Sequence, residues 1–228
     1  MKRIVLPELL DVLPPQEPAA KRSRRDLRRL NAWMNHPRIL ARVLRKNLPE
    51  NGPVHLAELG AGDGHFLLTV ARRMQRPPVE AVLVDRLKAL DADTMTRFAT
   101  LGWTAREETA EAAAWLRSAP PGQWTIISNL FFHQFKTDEL AAMLRPAAQC
   151  SDLVVALEPR RSWLPRLCGR LLWVIGCSRV TRHDARISVA AGFRDGELSA
   201  LWPDKLNWQI SEHRAGLFSH LFIARRKT

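Results

Sequence analysis

The sequence predicts an α/β protein with a doubly wound, mostly parallel sheet of seven strands, helices on both faces and an antiparallel last strand. Two observations carry this prediction. From residue 54 onward, short apolar runs alternate with longer segments of helical periodicity, as in parallel strands joined by helices. Near the end of the sequence, two strand-like runs are joined by a tight turn at Gly216, as in an antiparallel hairpin.

Each predicted strand before that hairpin is short, and helical segments separate one strand from the next. The strands are expected at residues 54–59, 79–85, 103–107, 124–130 and 152–158, and the intervening helices at 64–74, 87–101, 110–117 and 137–149. A helical region at 162–177, a short helix near 194–201 and hairpin strands at 207–215 and 217–226 follow. Because ligands of such sheets bind at the C-terminal ends of the strands, binding groups are expected after residues 59, 85, 107, 130 and 158.

The first 50 residues predict a helical extension, or lid, in front of a sheet domain at residues 51–228. Residues 1–22 are rich in proline and are expected to be irregular. Apolar residues then recur at helical spacing over 26–34 and 38–48, with Pro37 between the two segments. A helical insertion at about residues 160–192 is expected on the substrate side of the sheet domain.

Composition indicates a soluble globular chain, since 46% of its 228 residues are hydrophobic and 25% are charged. The N-terminus begins like a signal peptide, but Glu8 and Asp11 interrupt its apolar stretch, so a cytoplasmic protein without a transmembrane segment is expected. Cys150, Cys168 and Cys177 are widely spaced and have no neighbour at metal-ligand spacing. We therefore expect neither a disulfide framework nor a bound metal.

The net charge of +12 is unevenly distributed. Residues 1–50 hold 12 Lys and Arg against 5 Asp and Glu, and much of this excess lies in KRSRRDLRR at 21–29. Residues 151–200 hold 8 basic residues against 5 acidic ones. Such stretches can meet nucleic acid, an anionic membrane surface or an anionic substrate, and they can equally be the solvated face of a helix.

A glycine-rich loop, ELGAGDG at residues 58–64, follows the first predicted strand and precedes a helix. At such a position backbone N–H groups point outward and the helix dipole favours a negative group. A dinucleotide-binding loop would need glycine where His65 stands. Asp85 ends the second strand, 21 residues after Gly64, where a carboxylate can accept hydrogen bonds from both hydroxyls of a ribose.

The spacing E-x-G-x-G-x-G resembles the first motif of Rossmann-like S-adenosylmethionine-dependent methyltransferases. SNLFFHQF at 128–135 resembles a segment of the UbiE-like small-molecule subgroup, and VTRHDARISVAAGF at 180–193 resembles one found in bacterial members often encoded beside type III polyketide synthases. The resemblance covers residues 24–226, beginning with a helix like DLRRLNAWM. In two departures, Gln134 stands where a second histidine is usual and Gly192 replaces an alanine.

The resemblance implies S-adenosylmethionine as the cofactor. The glycine loop would hold its methionine part, Asp85 its ribose, and an acidic residue at the end of the third strand its adenine, for which Glu108 is favoured over Glu107. Asn129 ends the fourth strand, where the methyl group would face the substrate. The predicted cofactor-binding residues are Glu58, Gly60, Ala61, Gly62, Gly64, Asp85, Glu108 and Asn129.

The expected reaction is O- or C-methylation of a small acceptor that is apolar, aromatic or polyketide-like. Candidate general bases are His133 and the pair His183 and Asp184, although that pair could instead brace a loop. The segment at 162–177 is too short to span a bilayer, and it is read as a lid or substrate wall, as a membrane-interface segment or as ordinary core. Predicted acceptor contacts are Phe132, Trp163, Leu167, Leu171 and Trp173.

An alternative function is RNA methylation or RNA binding through the basic N-terminal region. Against it, Ser128-Asn129-Leu130 occupies the position of the N-P-P-[FY] motif of base-methylating enzymes.

Overall fold

The structure, a computed structural model, describes residues 2–50, 52–75, 79–90, 92–122, 124–170 and 172–227. Leu171, one of the predicted acceptor contacts, lies outside these residues. The strands are β1 (Val54–Leu59), β2 (Val79–Asp85), β3 (Trp103–Thr109), β4 (Trp124–Asn129), β5 (Ser151–Pro159), β6 (Trp208–Ala215) and β7 (Ser219–Arg226).

All seven strands belong to one sheet with the order β3-β2-β1-β4-β5-β7-β6. The first five strands pair in parallel, and β7 runs antiparallel to both of its neighbours, β5 and β6. The predicted fold class is therefore confirmed. Strands β1 and β4 lie next to each other although β2 and β3 intervene in sequence, so the strand order reverses between them, where such sheets bind ligands.

Helices cover both faces of the sheet. They are α1 (Pro18–Trp33), α2 (His36–Asn47), α3 (His65–Met74), α4 (Ala92–Thr100), α5 (Ala112–Ser118), α6 (Thr137–Cys150), α7 (Trp163–Arg170), α8 (Arg179–Ala191) and α9 (Glu197–Leu201). Helices α2, α3 and α4 pack on one face of the sheet, and α5, α6 and α9 pack on the other. Neighbouring strand residues alternate between these layers: Leu56 belongs to the first and Ala57 to the second.

Three helices differ from the prediction. Helix α1 begins eight residues early, at Pro18, because proline at the first helical position loses no hydrogen bond. His183 and Asp184, considered as residues that brace a loop, lie within α8, inside the expected insertion at 160–192. The N-terminus of α8 is capped by the Ser178 side chain, which accepts from the Thr181 amide at 3.2 Å. The helical region expected at 162–177 is helical only through Arg170, and turns precede Cys177.

Within the ranges that the structure describes, no helix is long and apolar enough to cross a membrane.

Candidate functional site

A cavity of about 480 Å³ lies over the C-terminal edge of the sheet. The loop after β1, the ends of β2 and β4, helix α1 and residues near the N-terminus all contribute to its lining. The cavity is thus at the edge where the sequence predicted binding groups.

The glycine loop after β1 has a backbone conformation that residues with a Cβ atom would disturb. Gly60, Gly62 and Gly64 have φ angles of 71°, 56° and 70°, in the left-handed region. A Cβ atom at Gly60 would lie 2.4 Å from Cδ2 of Phe131, so glycine also permits this close approach. At Gly62 a Cβ atom would meet nothing within 4 Å, and both Gly62 and Ala61 line the cavity. The loop therefore brings backbone close to any ligand in the cavity.

Asp85 holds this loop to the end of β2. Its Oδ2 accepts a hydrogen bond from the Gly62 amide at 2.8 Å, and its Oδ1 accepts one from the Leu87 amide at 2.9 Å. A carboxylate has about four acceptor positions, so each oxygen keeps capacity for a ligand hydroxyl. Asp85 also lines the cavity, so it can both fix the loop and bind a ligand.

Glu58, at the end of β1, is buried with only 2% of its surface exposed. Its Oε2 has no hydrogen-bond partner within the part of the chain that the structure describes, although Glu58 lines the cavity. Burial, together with the nearby carboxylates of Asp63 and Asp85, raises the pKa of Glu58 well above its ordinary value. An unsatisfied carboxyl oxygen is costly in the interior, and a hydrogen-bond donor in the cavity, above all a cationic one, would satisfy it.

Asp63 is a residue of the loop that the sequence analysis did not single out. Its Oδ2 accepts from Arg28 of α1 at 2.7 Å, and its Oδ1 accepts from the His65 amide at 3.2 Å. The N-terminal extension is thereby joined to the glycine loop. Asp63 could have been identified from the sequence by its position immediately before Gly64 and the start of α3.

The acidic residues at and after the end of β3 are placed differently from the prediction. Glu108 forms an ion pair with Arg106 at 2.6 Å and does not belong to the described lining of the cavity. Glu111, at the N-terminus of α5, does line it. The strand runs to Thr109, two residues beyond the predicted end, so the residues that turn toward the cavity come later in the sequence.

Asn129 lines the cavity and is fixed by the two N-terminal helices. Its Nδ2 donates to Asn31 Oδ1 at 3.0 Å, and its Oδ1 accepts from His36 Nδ1 at 2.7 Å. Burial lowers the pKa of His36 to about 4, so this ring is neutral and its Nε2 accepts from the Ser219 hydroxyl at 2.5 Å. The end of β4 is thus held by residues from α1, α2 and β7.

His133 lies between two carboxylates. Its Nδ1 donates to Glu158 Oε2 at 2.8 Å, and its Nε2 donates to Glu8 Oε1 at 3.1 Å. Burial disfavours the imidazolium cation, but these two carboxylates outweigh burial and raise the pKa of His133 to about 9. The predicted role of His133 as a general base disagrees with this geometry, because a charged ring with both nitrogens donating cannot accept a proton.

Glu158, at the end of β5, organises the segment after β4. Its carboxylate accepts from the amides of Phe131 at 3.2 Å and Phe132 at 2.8 Å, and from the Ser128 hydroxyl at 3.2 Å. The side chain is fully buried. Glu158 was not predicted as a site residue, although it lies at the end of a strand at the predicted ligand edge.

Residues 2–16, which we call the N-terminal strap, cross the cavity edge and contribute Glu8, Leu10 and Asp11 to its lining. The amides of Leu9 and Leu10 donate to the two carboxylate oxygens of Asp184 at 2.8 and 3.0 Å. The strap is also fastened by Arg3, which donates to the carbonyls of His133 and Phe135, and by Arg86, which donates to the Asp11 carbonyl.

The pair His183 and Asp184 is therefore a fastening point on α8. Asp184 lines the cavity, but its oxygens accept from the strap, and His183 Nδ1 lies 3.0 Å from Asp184 Oδ1. The His183 side chain is 47% exposed and lies outside the described cavity lining. This arrangement favours the bracing alternative over a catalytic base.

Most predicted acceptor contacts lie away from the cavity. Phe132 is fully buried in the core, whereas its neighbour Phe131 lines the cavity. Trp163, Leu167 and Trp173 are 71%, 47% and 62% exposed and are absent from the described lining. From this segment, the residues that line the cavity are instead Pro165, Cys168, Gly169 and Leu172.

Comparison with known proteins finds structural similarity without sequence similarity. The sequence matches no protein-family profile and no curated protein. The structure resembles the plantazolicin methyltransferase BpumL in complex with SAH, with a TM-score of 0.64 and 10% identity, over 93% of this chain and 92% of that one.

Two further solved structures give similar values. The plantazolicin methyltransferase BamL, in complex with a triazolic desmethylPZN analog and SAH, is 14% identical with a TM-score of 0.64, over 96% of this chain and 93% of that one. The dimethyltransferase RosA from Streptomyces davawensis, which acts on 8-amino-8-demethyl-D-riboflavin, is 18% identical with a TM-score of 0.57, over 97% of this chain and 62% of that one. At these identities the comparison establishes a shared fold.

Proposed function

We propose that the chain is an S-adenosylmethionine-dependent methyltransferase that acts on a small molecule. The observation that carries the proposal is the unpaired, buried Oε2 of Glu58 directly behind a glycine loop that Asp85 holds in place. An amino-acid ammonium group in the cavity would satisfy this oxygen and favour the ionised carboxylate. The shared fold with methyltransferases solved with SAH supports the same choice of cofactor.

The residues present suit that cofactor, which when bound supplies a methyl group on a sulfonium for transfer. Glu58 would hold the amino group, the backbone at Gly60–Gly62 would lie against the methionine part, and Asp85 would accept from the ribose hydroxyls. Glu111, which lines the cavity, would lie beside the adenine in place of Glu108. Fixing both reactants in line supplies most of the acceleration, since effective molarities reach about 10⁵ M or more.

The acceptor side of the cavity supports an apolar or aromatic acceptor. Phe131, Phe135, Leu172 and Phe218 contribute to its lining. The finer resemblance, to UbiE-like enzymes encoded beside type III polyketide synthases, would make the acceptor polyketide-like.

We propose in addition that residues 1–50 act as the lid of a domain at residues 51–228, because the N-terminal strap and α1 both line the cavity.

A hydroxyl acceptor would need a base, and Asp11 of the strap is the candidate that the structure supports. It lines the cavity, and its Oδ1 lies 3.5 Å from Gln134 Nε2. Burial and then the neighbouring Glu8 raise the pKa of Asp11 to about 6, close to the pH at which a carboxylate base works efficiently.

Calorimetric titration tests the cofactor proposal without knowledge of the acceptor. S-adenosylmethionine and its demethylated product should each bind the full chain at one site, and NAD should not bind. Glu58→Gln should weaken binding roughly tenfold or more, because a hydrogen bond to a charged group is lost. Glu108→Gln is the matched control and should leave the affinity unchanged. Binding of NAD alone would overturn the proposal.

A further inference from the structure

Helix α7 carries apolar residues on two opposite sides. One side faces the cavity through Pro165, Cys168 and Gly169. The other side carries Trp163 and Leu167, which are spaced four residues apart and are 71% and 47% exposed. A surface helix of a globular protein normally presents polar side chains on its outer side. On the outer side of α7, positions 166 and 170 are arginines, so exposed Trp163 and Leu167 alternate there with basic residues.

Further exposed apolar side chains lie in the turn after α7. Trp173, Val174 and Ile175 are 62%, 64% and 49% exposed. We call these three residues, with Trp163 and Leu167, the apolar rim. Exposed apolar patches bordered by polar groups mark sites that bind a protein, a ligand or a membrane.

Positive charge predominates around the apolar rim. Among the basic residues, Arg29 lies 3.6 Å from Asp26, and Arg161 is buried and paired with Glu197. Residues 159–183 contain six arginines and no acidic residue. Helix α1 lies against the rim, since Arg29 Nη2 donates to the Ile175 carbonyl at 3.0 Å. Arg22 and Arg25 precede Arg29 on the same side of α1 and are exposed like it. An anionic surface is the electrostatic complement of this region.

We propose that the apolar rim and the arginines of α1 dock on an anionic phospholipid surface. Tryptophan side chains prefer the headgroup level of a bilayer, and arginine is attracted to anionic lipids. RNA would use the arginines, but it would gain little from exposed Leu167, Val174 and Ile175, so the rim favours lipid. Docking would place the cavity beside the bilayer, because the inner side of α7 lines it.

Vesicle sedimentation tests this inference. The full chain should bind vesicles of phosphatidylcholine mixed with phosphatidylglycerol, and it should not bind phosphatidylcholine alone. Trp163→Ser combined with Trp173→Ser should reduce the partition coefficient roughly tenfold or more, because apolar insertion is lost. Both side chains are exposed, so the variant should keep its fold, which circular dichroism checks. Leu206→Ser is the matched control, since Leu206 is 85% exposed outside the rim and its change should have no effect.

A second variant tests how much the arginines of α1 contribute to vesicle binding. Arg22→Ser with Arg25→Ser should reduce partitioning roughly fivefold per arginine, and salt at about 0.5 M should weaken binding of the unaltered chain. Failure to bind the mixed vesicles, or binding that the tryptophan variant leaves unchanged, would overturn the inference. Binding of a single-stranded RNA oligomer without binding to the vesicles would overturn it in favour of RNA. The assay contains no methyl donor, so its outcome is independent of the proposed enzyme activity.

Discussion

Among single residues, Glu58 is expected to have opposite effects on cofactor binding and on the stability of the ligand-free chain. Its raised pKa means that the folded chain keeps the carboxyl neutral while the unfolded chain ionises it above about pH 4.5. Stability is therefore lost as pH rises through and above that value. We predict that Glu58→Gln raises the Tm of the ligand-free protein at neutral pH, although it weakens cofactor binding. Thermal unfolding followed by circular dichroism checks this, and a lowered Tm would contradict it.

Protonation of His133 gives the free energy of unfolding a second dependence on pH. Its pKa of about 9 in the folded chain exceeds the ordinary value of 6.5, so its stabilising contribution is complete below about pH 6.5 and is lost as pH rises through about 9. We predict a fall in the free energy of unfolding by about 3 kcal/mol over this range. His133→Asn should be less stable at pH 6 and should show a flatter profile in urea titrations. An equal slope in the variant would rule out His133 as the titrating group.

Glu111 and Glu108 show that sequence spacing alone does not determine which acidic residue near the end of β3 lies at the cavity. The sequence locates an acidic residue near the end of the third strand, but it cannot say which of several carboxylates turns toward the cavity. That choice depends on where the strand ends, at Thr109, and on the Arg106 that pairs with Glu108. We predict that Glu111→Ala weakens S-adenosylmethionine binding severalfold, whereas Glu108→Ala leaves it unchanged. The reverse order of effects in calorimetry would restore the original assignment.

At the scale of elements, the N-terminal strap depends on α8. The amides of Leu9 and Leu10 are held by Asp184, and Glu8 is held by His133. We predict that Asp184→Asn speeds hydrogen exchange of the peptide containing residues 9 and 10 by roughly tenfold, since hydrogen bonds to a charged acceptor are weakened. Asp152→Asn is the control, because Asp152 pairs with Arg226 away from the strap. Unchanged exchange at residues 9 and 10 would show that other contacts hold the strap.

The predictions that differ from the structure at the level of helices share one cause. His183 and Asp184 were considered as residues that brace a loop, whereas they lie in α8, which is held by its Ser178 cap and by hydrogen bonds of Ser23 and Asp26 from α1 with Thr181. Likewise, the sequence could not decide which side of α7 faces the cavity, since apolar residues lie on both sides. These choices depend on contacts with segments more than a hundred residues away.

At the scale of the whole molecule, the alternation of strands and helices was predictable because each buried strand is a short apolar run with its own boundaries. The position of β7 between β5 and β6 and the return of the strap over the cavity are not local properties, so no spacing in the sequence reveals them. The glycine loop and Asp85 were predictable as a pair because their separation is set by one strand-helix-strand unit. The hydrogen bonds from Arg28 to Asp63 of the loop and from Asn129 to Asn31 could not be predicted, because they depend on how α1 packs against the sheet edge.

The proposed function requires that the cavity bind S-adenosylmethionine with its amino group on Glu58. A crystal structure of the full chain with S-adenosylhomocysteine tests it most directly. The amino nitrogen should lie about 2.7–3.2 Å from Glu58 Oε2, or be joined to it by one water, and the ribose hydroxyls should donate to Asp85. A ligand bound elsewhere, or in this cavity with its amino group directed away from Glu58, would contradict the account.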